Sequence, residues 1–202
     1  MNKSIIITRP NCSQSTRYVF YWAKEIIDLA KEKGIDVFDL KVERANDKEF
    51  LKAMKNNPSL VIFNGGGNMK KVLGFNNEVL IDKDSICLFT RETTRMFGVR
   101  NNETGAIAYV GHDDSYVFCC SPANNYNPLD DKLAHLFLDP VNCFSHSLLN
   151  GLTVGEAALK VKEEYEKNIK EVKNNPEYEF ALPYLIWNMN HFKVIGDKEA
   201  KI

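Results

Sequence analysis

Through the first half of the chain, apolar residues come in short unbroken runs separated by polar, Gly- and Asn-rich segments; through the second half they recur at helical spacing. Ser4 to Thr8 reads Ser-Ile-Ile-Ile-Thr, with β-branched residues following one another without alternation, as in a strand covered on both faces of a parallel sheet. A polar loop from Thr8 to Ser15 follows. Trp22, Ile26, Leu29, Ala30 and Lys33 then mark a helix, which Gly34 is placed to stop in the left-handed conformation. Asp36 to Leu40 predicts a second strand whose alternation with Asp suits an edge. Asn46 and Glu49 have capping-box spacing and open a short helix through Phe50, Leu51 and Met54 that ends before Pro58.

Leu60 to Asn64 is the third strand. Val72 to Phe75 and Val79 to Ile81, around the Asn76-Asn77 pair, predict a small hairpin. Ser85 to Phe89 is the fourth strand, with the polar segment Thr90 to Arg95 at its end. Ala106 to Val110 is the fifth, followed by Gly111-His112 and Tyr116-Val117-Phe118-Cys119-Cys120. From about residue 130 the pattern turns helical: Asp130 to Leu138, Cys143 to Leu149, and a long helix from the Thr153/Glu156 capping box to about Lys173. Its run of Lys and Glu reads as a solvated face. Tyr184 to Met189 predicts another helix and Phe192 to Ile195 a last strand. Strands alternating with helices predict an α/β fold with a mainly parallel sheet, in one domain spanning 1–202.

Composition changes this picture little. In 202 residues, 44% hydrophobic and 26% charged content is that of a globular protein, and a net charge of -1 leaves no overall footprint for nucleic acid or an anionic membrane. The isoleucine run is too short for a signal-peptide core and nothing approaches the length of a membrane span, so the expectation is a cytoplasmic protein. The cysteines, Cys12, Cys87, Cys119, Cys120 and Cys143, form no CxxC pair and no zinc spacing, which predicts reduced thiols and neither metal nor cofactor.

Candidate chemistry gathers at strand ends, where open α/β sheets bind ligands. If the first, third and fourth strands are neighbours, Arg9, Asn64, Gly65, Gly66, Asn68, Arg91, Glu92 and Thr93 line one polar cleft. Glycines admit a ligand to the backbone, and arginine forks pair with carboxylate or phosphate. The Asn64–Asn68 stretch is neither a Walker A loop nor GxGxxG. A Cys12–His112 pair can be drawn, but with five cysteines and four histidines chance explains it better than a dyad.

Ile6-Ile7-Thr8-Arg9-Pro10, Phe63-Asn64-Gly65-Gly66-Gly67-Asn68, Thr90-Arg91-Glu92-Thr93 and Gly105 to Gly111, with Asp139-Pro140 and Thr153 to Ala158 downstream, resemble the caspase-like (clan CD) cysteine peptidases of the gingipain and CHAT branch. The resemblance implies a three-layer α/β/α sandwich. It also implies a cysteine endopeptidase, with a histidine ending the third strand and a cysteine ending the fourth. This chain has Gly66 at the first position and Thr93, or by a looser alignment Glu92, at the second. Glycine offers no base and an unactivated threonine hydroxyl is a poor nucleophile.

The expectation is therefore a non-proteolytic, peptide-binding or regulatory homologue, whose cleft takes a peptide, a protein partner or a small anion. A competing expectation is an enzyme gripping a nucleotide or sugar-phosphate with Arg9 or Arg91, using Glu92 as base or nucleophile. An active cysteine peptidase working through Cys12 or another thiol ranks last.

Overall fold

A computed structural model describes residues 3–64, 107–124 and 126–202, together with the backbone of 67–68, 71–72 and 86–89. The strands are β1 (Ser4–Arg9), β2 (Asp36–Lys41), β3 (Leu60–Phe63), β4 (Gly67–Asn68), β5 (Lys71–Val72), β6 (Ile86–Phe89), β7 (Ala108–His112) and β8 (Phe192–Gly196). Six of them form one sheet in the order β2-β1-β3-β6-β7-β8. Every pair in it is parallel except β7 with β8. The first, third and fourth predicted strands are thus adjacent, as the strand-end cleft requires. Residues 73–81, which hold most of the expected hairpin, lie outside the described residues; Val72 pairs back with Gly67 across β4 and β5.

The isoleucine run explains why the chain folds around β1. Ile5, Ile6 and Ile7 are fully buried although their side chains point alternately to opposite faces, so both faces must be covered. One face, carrying Ile5, Ile7, Leu60, Ile62, Ala108 and Val110, packs on the helices α1 (Gln14–Glu32), α3 (Lys132–Leu149) and α4 (Val154–Lys173). The other, carrying Ile6, Val61, Phe63 and Tyr109, packs on Phe50, Ala53 and Met54 of α2 (Asp47–Met54). The architecture is mixed α/β.

Helix boundaries follow their caps. Gly34, at φ +70°, stands where α1 gives way to β2, as expected. The Asn46 side chain accepts from the Glu49 N–H to start α2, and Thr153 with Glu156 forms the full reciprocal box of α4. The start of α1 differs from the polar loop expected through Ser15. Ser13 and Thr16 form a capping box in which a threonine takes the place usually held by Glu or Gln, and the helix begins at Gln14.

The two separate helical stretches expected after residue 130 are one helix, α3, running through Pro140. Proline has no N–H for the carbonyl of Leu136. Asn168 of α4 supplies the missing donor, its Nδ2 lying 2.9 Å from that carbonyl in a buried setting. The adjoining Phe137 carbonyl accepts the Tyr116 hydroxyl at 2.7 Å. With these donors the break is repaired from neighbouring segments, and α3 continues.

This repair predicts a coupling. Asn168→Leu should cost about 1–3 kcal/mol by stranding a buried carbonyl, and clearly less in a Pro140→Ala background, where the new N–H reaches Leu136. Urea unfolding of the double-mutant cycle checks it; equal costs in both backgrounds would contradict the repair.

Candidate functional site

The carboxyl end of the sheet is fixed by a pair of bonds between β1 and β3. Thr8 Oγ1 donates to the Asn64 carbonyl and accepts from the Asn64 N–H, both at 2.9 Å and buried. The backbone therefore leaves β3 at a set angle, and the Asn64 side chain is brought to the wall of a cavity of about 120 Å³ between α1 and α3. Gly65, Gly66, Arg91, Glu92 and Thr93 lie outside the described residues, and of Asn68 only the backbone, paired with Lys71, is described.

Arg9 is placed differently from the expected anion grip. Its Nε donates to Asp39 Oδ1 at 2.8 Å, its second fork nitrogen pairs with Asp39 Oδ2, and its remaining terminal nitrogen donates to the Phe20 carbonyl at 3.0 Å. The guanidinium also stacks over the Phe20 ring at 4.4 Å. The side chain is buried in this internal pairing of β1, β2 and α1, and its carboxylate-matching fork is filled.

The segment after β7 carries what the sequence reading passed over. Residues 115–121 run without helix, turn or bend. Asn188, fully buried in α5 (Leu182–His191), holds this run from one side: its Oδ1 accepts the Val117 N–H at 3.0 Å and its Nδ2 donates to the Val117 carbonyl at 2.7 Å. For one amide to meet both groups, they must point the same way, which is the strand conformation. Neighbouring residues of a strand then direct their peptide groups to the opposite side. Among the described residues, the peptide groups of Tyr116, Phe118 and Cys120 meet no hydrogen-bond partner.

The far end of the run is anchored by Asp131, the buried N-cap of α3. It accepts the Ser121 N–H at 2.7 Å, the Tyr18 hydroxyl at 2.7 Å, and the N–H groups of Leu133 and Ala134. Between these anchors the Phe118 ring sits edge-on to Tyr18, 5.1 Å between centroids, and forms one wall of the cavity. The signals for this arrangement were present but faint: an amide, Asn188, in a mainly apolar helix, and an apolar pentapeptide, Tyr116 to Cys120, with no partner strand in sequence.

Among the described residues, the cysteines and His112 are not poised for nucleophilic chemistry. Burial raises the thiol pKa values of Cys119 and Cys120, which disfavours the reactive thiolates. Strand alternation also sends their side chains to different surroundings, Cys119 toward the main core and Cys120 toward Tyr18 and Trp22. Cys12 is exposed in the loop before α1, with its sulfur 3.8 Å from the Thr16 hydroxyl. His112 is almost wholly buried, its ring against those of Tyr116 at 4.8 Å and Phe192 at 5.5 Å. Among the described residues neither of its nitrogens has a hydrogen-bond partner. Burial, then the neighbouring His191, push its pKa down to about 3 against the opposing pull of Asp113.

Among the described residues, no group of three or more His, Cys, Asp or Glu side chains could hold a metal ion, and no helix is long and apolar enough to cross a membrane. The chain matches no family model, no curated protein and no solved structure.

The buried neutral His112 predicts acid lability of a definite sign. Between its unfolded value of about 6.5 and its folded value of about 3, the unfolded chain takes up a proton that the native state refuses, so stability falls as pH drops through that window. From pH 7 to pH 4.5 this group should account for a loss of about 2–3 kcal/mol. Urea unfolding at both values checks it: His112→Phe should remove that part of the pH dependence, whereas an unchanged dependence would contradict it.

Proposed function

We propose that this chain is a caspase-like, CHAT-like peptidase homologue that lacks the His/Cys dyad, does not cleave, and holds an extended peptide against the segment that follows β7. The single observation that carries the reading is the Asn188 pairing with Val117. It keeps a strand-like run in place from one side while, among the described residues, the peptide groups of Tyr116, Phe118 and Cys120 meet no partner on the other. Such an edge is a template for strand addition, in which backbone bonds give affinity and pockets give selectivity.

Other features support the caspase-like part of the proposal. A mainly parallel sheet with helices packed on both faces agrees with a three-layer α/β/α sandwich. Gly66 and Thr93 at the family's dyad positions argue against peptidase chemistry. The competing nucleotide or sugar-phosphate reading loses a cation, because Asp39 fills the Arg9 fork.

The test is a selection of binding peptides from a random library, followed by fluorescence anisotropy. Selected peptides should bind uncleaved. N-methylation at alternate backbone positions should weaken binding about five- to tenfold per lost bond, and methylation at the intervening positions far less. Asn188→Leu, which releases Val117, should weaken all selected peptides together. Cleavage that thiol alkylation abolishes, or binding indifferent to N-methylation, would overturn the proposal.

A further inference from the structure

We propose that the cavity between α1 and α3 is the selectivity pocket of this site and takes one uncharged six-membered aromatic ring, the side chain of a phenylalanine in the bound peptide; this rests on the peptide reading above. The cavity is built from two helix faces, the segment after β7 and Asn64 at the end of β3. Val19 and Trp22 are spaced i, i+3 on α1, Leu138 and Val141 are spaced i, i+3 on α3, and Phe118 closes the side nearest the unpaired edge. None of the described residues that line it is charged. An ionised side chain placed there would lose its hydration and gain no counter-ion from the described lining residues.

The polar groups in the wall are largely occupied within the fold. The Trp22 indole N–H donates to Asp139 at 2.8 Å, and the Asn142 amide donates to the Trp22 carbonyl at 3.0 Å. The Tyr116 hydroxyl is used by the Phe137 carbonyl at 2.7 Å. Thr16 Oγ1 accepts the N–H groups of Cys12 and Ser13 in the α1 cap. Beyond the Asn64 side chain and Asn142 Oδ1, a ligand hydroxyl or amine would find little to pair with among the described residues, so shape and apolar contact dominate what enters.

Size narrows the class further. A dry, apolar-lined cavity of about 150 Å³ is known to accept benzene, and this one measures about 120 Å³. That suits a single ring and is small for an indole. Position ties the pocket to a peptide rather than to a free aromatic molecule: Tyr116 and Phe118, whose peptide groups meet no partner among the described residues, are also cavity walls. A strand laid along that edge sends alternate side chains to one face, and one of them meets the opening beside Phe118.

The experiment has a peptide arm and a small-molecule arm. One selected peptide is remade with Phe, Trp, Asp or Lys at its pocket position, and its affinity is measured for the wild type, Val19→Phe and Val141→Phe; toluene is titrated into the same proteins and followed by methyl NMR of Val19, Leu138 and Val141. The Phe peptide should bind at least about tenfold tighter than the Asp or Lys peptide, and toluene should shift those methyls. Both effects should vanish in either filled variant while the weaker, backbone-driven affinity remains; two variants on facing helices separate filling from misfolding. Equal affinity for Phe and Asp peptides, or wild-type methyls unmoved by toluene, would overturn the pocket assignment. If no peptide binds but toluene enters the wild type alone, the peptide assignment is overturned and the aromatic class of the pocket stands.

Discussion

The site depends on one amide. A strand-like run beyond the end of a sheet has no reason to stay straight unless something replaces the missing neighbour, and Asn188 does so at Val117 with two bonds. Because the amide is fully buried in α5, both of its functions must be met on folding, which fixes the run relative to the helix. The geometry has a second result. Satisfying one side of a strand at a single residue leaves the alternate residues with their peptide groups on the other side.

The same run is also tied to the helix beneath it. Pro140 deprives the Leu136 carbonyl of its partner, and Asn168 with Tyr116 brings donors to that turn and its neighbour. Tyr116 thereby couples the segment after β7 to the middle of α3, while Asp131 couples its far end to the start of the same helix. The cavity lies between these anchors. Many of its polar wall groups are used by bonds made for the sake of the fold, which leaves its interior mostly apolar.

The sequence disclosed those parts of the molecule whose causes are local. An unbroken β-branched run identified β1 and an apolar run of strand length β3, the Thr153/Glu156 box located the start of α4, and Gly34 fell at a left-handed residue. It misjudged parts whose causes are distant. Pro140 reads as a helix break until Asn168 of the next helix is seen to donate to the freed carbonyl. Arg9 reads as an anion grip until β2 is paired beside β1 and Asp39 meets its fork. Tyr116 to Cys120 shows only its apolar character in sequence; that its backbone is held on one side depends on an amide contributed by a separate helix.

The most direct measurement of the central claim needs no ligand. Amide hydrogen exchange, resolved by NMR in the free protein, should show Val117 protected by Asn188 and Phe118 and Cys120 exchanging much faster, with the latter two becoming protected when a selected peptide binds. Slow exchange at Phe118 and Cys120 in the free protein, or no change there on peptide binding, would contradict the account.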